Sequence, residues 1–262
     1  MSGGSNPSRP VFYVMDLVLG ILVLFLIAYL FAVTGHGGGS GYLALFLIWG
    51  VLPMEAKFYA LVLNVLVSYL AFSNFRKAGL FDSSLAFPLL IGSLPAFCIF
   101  VKTAPSEIFY NQIVGLLLLF SALRLFVPHN KKKYKLKKNP KTWMLVLLGF
   151  CIGGLAGFIG IGGGIFLSPL LIFFGWADPK KTAAISSIFV LANSALGVSL
   201  LLPELGWLRQ IFASIFNGSF LLVAVGFAGW LGSLHGSKKF NKVMMNRALG
   251  AILLIASVLL FS

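Results

Sequence analysis

The chain has 262 residues, of which 59% are hydrophobic and only 10% are charged, with a mean hydropathy of +1.00. Soluble domains carry roughly 25% charged residues, so this composition excludes a soluble enzyme, a disordered chain and a secreted disulfide scaffold. A net charge of +14 would suggest nucleic acid in a soluble protein. Here the charges lie between long apolar runs, so we expect no nucleic acid. The composition predicts an all-α, multi-pass protein of the cell membrane.

Hydropathy predicts ten helical segments. The first five lie at 11–34, 42–52, 55–74, 84–101 and 108–127. The other five lie at 143–159, 165–176, 180–202, 209–234 and 241–261. Residues 1–128 therefore form a first transmembrane repeat and residues 142–262 a second, joined by a basic linker at 129–141. The two short segments span about 16 to 18 Å, against a hydrocarbon core of about 30 Å, so each is a broken or re-entrant helix.

The two halves share residues as well as rhythm. An offset of 125 places six residues of the first half on identical residues of the second, namely Gly35, Gly37, Gly38, Gly39, Leu45 and Gly50 on Gly160, Gly162, Gly163, Gly164, Leu170 and Gly175. If all ten segments cross and the amino terminus lies outside, sixteen of the 20 Lys and Arg residues lie in inner loops. This charge bias predicts that both termini lie outside and that the linker is cytoplasmic, beside anionic lipid. Five crossings in each half make the halves inverted repeats.

The two glycine clusters are the strongest candidates for a binding site. Each cluster, at 35–41 and at 160–164, opens directly into a short helix. Glycine backbone at a helix start offers unpaired N–H groups and the positive end of the helix dipole, which suits an anion. The predicted substrate-binding glycines are Gly37, Gly38, Gly39, Gly162, Gly163 and Gly164. Close helix packing is the alternative, and we expect it for the glycine pairs Gly153 and Gly157 and Gly232 and Gly236.

Polar stripes follow the prolines that come after each short segment. In the second half the stripe contains Thr182, Ser186, Asn193 and Gly197, with Ser187 beside it, and in the first half it contains Lys57, Asn64 and Ser68. Such side chains facing a bundle interior either bind a polar solute or hold helices together. We include Asn64, Ser186, Ser187 and Asn193 among the predicted substrate-binding residues.

A few ionisable or reactive side chains lie in or near apolar segments. His36 is a candidate for proton coupling or else a histidine at a loop surface, and Lys57 is a counter-charge for an anion or else snorkels to the interface. Asp178 is expected to cap the next helix. Cys98 and Cys151 are expected to be buried thiols. The sequence contains no enzyme motif, and we expect no catalytic residue, metal site or cofactor.

The sequence resembles the TauE/SafE sulfite-exporter family. The stretch GIGGGIFLSPLLIFFG at 160–175, followed by Ala-Ile-Ser at 184–186 and by Asn193, is similar to the signature region of that family, and GHGGGSGYLALFLIWG at 35–50 is a weaker copy. By position, the resemblance points to the second glycine triplet, Pro169, Ala184, Ser186, Ser187 and Asn193. It implies a secondary carrier of small sulfur-containing anions, such as sulfite or organosulfonates, that usually exports them.

The residues and the resemblance together predict a non-enzymatic anion transporter that works by alternating access of its two halves. Two alternatives remain open from the sequence. One is a membrane scaffold recruited through the basic linker, and the other is a transporter of a cation or a neutral solute. The sequence also leaves open whether the chain forms an oligomer.

Overall fold

The structure is a computed structural model that describes residues 9–103, 106–126, 140–203 and 219–238, with 250–251, 254–255 and 257–258 near the carboxyl end. Within these ranges the chain is helical and contains no strand, which confirms the all-α prediction. Nine helices are described, namely α1 (Arg9–Val33), α2 (Gly39–Ile48), α3 (Pro53–Lys77), α4 (Ser83–Phe100), α5 (Glu107–Phe126), α6 (Thr142–Ile159), α7 (Gly164–Phe173), α8 (Pro179–Leu201) and α9 (Ser219–Ser237). Most of the linker at 129–141 and of segment 241–261, and residues 209–218, lie outside the described residues.

The two short helices exist, and each begins and ends one to four residues before its predicted segment. Helices α2 and α7 have 10 residues each, and each begins at the third glycine of its triplet. Each also ends in the same pair of backbone hydrogen bonds. Gly50 N donates to Leu47 O and Val51 N to Phe46 O, while in α7 Gly175 N donates to Ile172 O and Trp176 N to Leu171 O. These hydrogen bonds end each helix just before a glycine. The apolar segment predicted from hydropathy continues past that glycine.

The long helices that follow begin at proline. Pro53 and Pro179 each occupy the first turn, where a missing N–H costs no helical hydrogen bond. The Asp178 side chain accepts from the N–H groups of Lys180 at 2.9 Å and Lys181 at 3.2 Å, so its predicted capping role is confirmed. Four described helices, α3, α4, α6 and α8, are long and apolar enough to cross a membrane.

Two pairs of helices pack with their backbones in close contact at glycine. A side chain at Gly157 on α6 would lie 2.7 Å from Phe97 O on α4, and one at Gly236 on α9 would lie 2.8 Å from the carbonyl carbon of Val33 on α1. Gly153 and Gly232 make equally close contacts on the same two pairs of helices. The packing role expected of these glycines is confirmed, since a methyl group has no room at any of them.

Helices α3 and α8 pack against each other, with α2 on α3 and α7 on α8, while α9 also contacts α3 and α4 also contacts α8. The polar stripes of α3 and α8 face this interior, because their side chains are buried. Cys98 and Cys151 differ from expectation, since both are exposed on the outside of the bundle. A cysteine side chain behaves as a small hydrophobic group, so it suits the lipid-facing side of a membrane helix as well as a protein core.

Candidate functional site

Two glycine turns lead into the short helices, and they share one geometry. The first two glycines of each triplet are in the left-handed region, with φ 79° at Gly37, 111° at Gly38, 68° at Gly162 and 86° at Gly163. The third glycine is the first helical residue, and neither helix start has a side-chain cap. The first N–H groups of a helix have no partner within the helix, so both turns present donors and the positive end of a helix dipole.

The two turns meet at the middle of α3 and α8. A Cβ atom at Gly37 would lie 2.8 Å from Asn64 Oδ1 and 2.9 Å from Val190 Cγ1. A Cβ atom at Gly162 would lie 2.9 Å from the same Val190 methyl group and 3.3 Å from Asn64 Nδ2. Gly39 also contacts the Asn64 amide. The structure therefore brings the predicted Gly37, Gly39, Gly162 and Asn64 together at one place, which we call the glycine site.

The Asn64 side chain has no hydrogen-bond partner within the described part of the chain. It is 0% exposed, yet neither its Oδ1 nor its Nδ2 atom has a partner. The hydroxyl of Ser194, which a Cβ atom at Gly162 would approach to 2.8 Å, and the hydroxyl of Ser40 on α2 are also buried without a partner. Leaving a buried polar group unpaired costs about 1 to 3 kcal/mol, so Asn64 and Ser194, which both adjoin Gly162, mark a place suited to a polar ligand or water.

The second predicted asparagine has a different environment. Asn193 Nδ2 donates to Gly162 O at 3.2 Å, and Asn193 Oδ1 accepts from the Ser93 hydroxyl at 2.9 Å. Both ends of the amide are thus used to fix the second glycine turn.

Gly38 and Gly163 are buried beside Tyr42 and Phe189, respectively. The Ser187 hydroxyl donates to Ala184 O on its own helix at 2.8 Å, so the structure does not bring it to the glycine turns.

His36 connects the two halves through a chain of hydrogen bonds. The Thr34 hydroxyl donates to Phe31 O at 2.9 Å, so it accepts from His36 Nδ1 at 2.6 Å. The Nδ1 atom therefore carries the proton, and a neutral imidazole accepts at Nε2 from the Ser168 hydroxyl, 2.9 Å away. Ser168 in turn accepts from the Ser186 hydroxyl at 2.7 Å. His36 lies beside Gly164, so the chain passes next to the second turn.

Lys57 is buried rather than snorkelling, with 1% of its surface exposed. Its Nζ atom donates to Thr103 O at 2.9 Å and lies over the Tyr110 ring, 5.1 Å from the centroid. The aliphatic stem packs against Gly160, so the lysine adjoins the second glycine cluster, although its ammonium points away from Asn64 toward the loop before α5. Among the described residues, no group of three His, Cys, Asp or Glu side chains could hold a metal ion.

A family model described as sulfite exporter TauE/SafE matches residues 20–261 of the chain. The chain belongs to this family. A protein of Sinorhizobium fredii (strain NBRC 101917 / NGR234), described as "Probable membrane transporter protein y4hK", is 28% identical over 240 residues, which are 90% of this chain and 95% of the relative. No solved structure matches the chain. The resemblance read from the glycine signature is confirmed, and with it the assignment to a family of helical membrane transporters.

Sequence reasoning missed four residues of this TauE/SafE protein that lie at or beside the glycine site, namely Ser40, Ser168, Val190 and Ser194. The repeat itself carries the signal that finds two of them. Asn64 and Val190 each lie eleven residues after the proline that starts their helix, and Ser68 and Ser194 each lie fifteen residues after it. Aligning the prolines would have placed Val190 and Ser194 opposite known polar positions. Ser68 donates to Asn64 O and Val190 is apolar, so Asn64 in the first half and Ser194 in the second are the members of this set whose polar side chains lack a partner among the described residues.

Proposed function

We propose that the protein is a secondary transporter that exports a small sulfur-containing anion, sulfite or an organosulfonate, across the cytoplasmic membrane, and that it is not an enzyme. The observation that carries the proposal is the unpaired Asn64 amide between two helix starts. A soluble ligand that fits there must offer several acceptors to converging donors. The family supplies the class of cargo, and the geometry supports an oxyanion.

The chemistry of the glycine site favours an anion over a cation. Two helix N-termini place partial positive charge on the same point, and each contributes typically 0.3 to 1 kcal/mol toward holding an anion. Asn64 Nδ2 and the hydroxyl of Ser194 add donors from two helices, α3 and α8. Among the described side chains that contact the turns, none is acidic. Sulfite and sulfonate groups each present three oxygens, so one group can accept from both turns at once.

An inverted arrangement of residues 1–128 and 142–262 is part of the proposal, and the pairing of helices supports it. Exchanging the halves turns the α1 and α9 pair into the α6 and α4 pair, and the α2 and α3 pair into the α7 and α8 pair, all of which are in contact. The α3 and α8 pair maps onto itself. Each half also packs a glycine turn on the other half, since Gly35 contacts Ala183 and Gly160 contacts Lys57.

Alternating access follows from this arrangement. The glycine site lies between the halves, so rocking one half against the other opens the site to one side of the membrane at a time. The positive-inside bias puts both termini outside and the linker at 129–141 in the cytoplasm, beside anionic lipid. A membrane potential negative inside drives a monovalent anion outward with about 2.3 kcal/mol per 100 mV. A proton moving through His36 would be a second source of driving force.

The test is flux in proteoliposomes that contain the purified chain. Sulfite, thiosulfate, sulfate, sulfoacetate and a neutral amino acid are offered in turn, with protein-free liposomes as the control. We expect saturable movement of at least one sulfur anion and none of the amino acid. Folded protein that moves no anion, or that moves the amino acid as readily, would contradict the proposal.

A further inference from the structure

Within the described residues, the Lys57 ammonium group meets fewer acceptors than its three N–H donors can use. An ammonium has three N–H donors, and the one acceptor it meets among the described residues is Thr103 O, 2.9 Å away. No acidic side chain of the described part of the chain pairs with it. A buried charge without a counter-charge is costly, and an ionisable side chain inside a membrane protein is by default a candidate functional residue.

The surroundings of this ammonium suit an anion. The faces of Tyr110 and Phe158 lie 5.1 and 5.7 Å from Nζ, measured to the ring centroids, so they hold the cation by its quadrupole attraction without neutralising it. The Tyr110 hydroxyl donates to Ile159 O, so its ring is fixed in place. An oxyanion suits this place, because its negatively charged oxygens can accept hydrogen bonds from the remaining N–H groups of Lys57.

Lys57 lies close to the glycine site along two routes. It precedes Asn64 by seven residues on the same face of α3, which is two helical turns or about 10 Å. Its stem also packs against Gly160, and Gly162, two residues further on, contacts Asn64. An anion at Lys57 is therefore one short step from the glycine site, on the side of the loop that contains Thr103.

The position of the second half that corresponds to Lys57 is uncharged. Lys57 lies four residues after Pro53, and the residue four after Pro179 is Ala183. Ala183 packs against Gly35 as Lys57 packs against Gly160, so the two positions correspond in the repeat. The first half thus has a buried cation, Lys57, where the second half has a small apolar residue, Ala183.

We propose that Lys57 forms a second anion site, one step from the glycine site, that receives the transported anion at the end of the bundle containing Thr103. The inference rests on the proposed transport function. It names a residue that speeds passage through one end, whereas the glycine site itself does not require Lys57. The ligand class is a small oxyanion such as sulfite.

The experiment compares Lys57→Met, Lys57→Arg and a matched control, Lys77→Met, which removes a charge from an exposed lysine at the other end of α3. Sulfite flux into proteoliposomes and the melting temperature with and without sulfite are measured for each purified variant. We expect Lys57→Met to lower kcat/KM for sulfite about tenfold or more, the loss expected when one hydrogen bond to a charged group is removed. Lys57→Arg should stay within about threefold of the unchanged protein, since it keeps the charge, and Lys77→Met should equal it.

Thermal stability separates this inference from the transport proposal. Without anion, Lys57→Met should melt at or above the temperature of the unchanged protein, because methionine fills the stem's place without a buried charge. Sulfite should then stabilise the unchanged protein more than Lys57→Met. If no anion moves but this difference in stabilisation persists, the second site stands and transport falls. If Lys57→Met matches Lys77→Met in both flux and stabilisation by sulfite, thiosulfate, sulfate and sulfoacetate, the second site is refuted while measured flux would still uphold transport.

Discussion

Replacing Gly162 by alanine adds one methyl group at the point where the two glycine turns meet. The new Cβ atom would lie 2.8 Å from the Ser194 hydroxyl and 2.9 Å from Val190 Cγ1. Gly79 offers a matched control in the exposed turn after α3. Its φ of 69° is almost that of Gly162 at 68°, but a Cβ atom there would meet nothing within 4 Å. The pair separates backbone strain from filling of the site.

The expected magnitudes follow from this geometry. An alanine in the left-handed region costs about 1 to 2 kcal/mol at either position. Forcing a methyl group into packed surroundings adds about 1 to 3 kcal/mol at Gly162 alone. The methyl group also displaces donors from the anion, and each hydrogen bond to a charged group is worth about 1.5 to 3 kcal/mol, which is tenfold or more in affinity.

The assays are sulfite flux per folded chain and the free energy of unfolding from denaturant titration in detergent. Gly79→Ala should lose about 1 to 2 kcal/mol of stability and keep flux within about twofold. Gly162→Ala should lose more stability, and its flux should fall at least about tenfold. Equal flux in the two variants, with both folded, would show that the turn does not form the site.

Three further predictions test other parts of the account. Asn64→Leu should abolish flux while raising stability by about 1 to 3 kcal/mol, because it removes an unpaired buried amide, and normal flux would exclude Asn64 from the site. His36→Ala should remove the pH dependence of flux if protons move through this side chain, and an unchanged pH profile would end the proton-coupling hypothesis. Gly149→Ala should destabilise the protein by about 1 to 3 kcal/mol through overpacking against Leu89, yet leave flux per folded chain intact, and loss of flux at full stability would contradict its assignment to packing.

Much of the fold could be predicted because the bilayer constrains it. Apolar length identifies the long helices, since lipid leaves helices as the way for a single apolar segment to pair its backbone. The internal repeat located both short helices from the matched glycines. Their ends were misjudged because hydropathy does not register a glycine in the left-handed region, and Gly50 and Gly175 end the helices by backbone geometry.

The candidate site could be predicted in part for a similar reason. The glycine triplets and Asn64 stand out as exceptions in an apolar sequence, and the structure brings Gly37, Gly39 and Gly162 together with Asn64. Sequence periodicity places a residue on a helix face but does not say which hydrogen bonds it makes. Asn64 and Asn193 therefore read alike, although one is unpaired and the other holds the Gly162 carbonyl. His36 and Ser168 are 132 residues apart, and no local pattern links them.

The central claim is that both glycine turns bind one oxyanion beside Asn64. Selenite is a close analogue of sulfite whose selenium scatters anomalously, so crystals grown with it can locate the anion directly. The account predicts an anomalous peak between Gly37 and Gly162, with an anion oxygen within hydrogen-bond distance of Asn64 Nδ2. Ordered selenite elsewhere in the bundle, with no peak between the two turns, would contradict it.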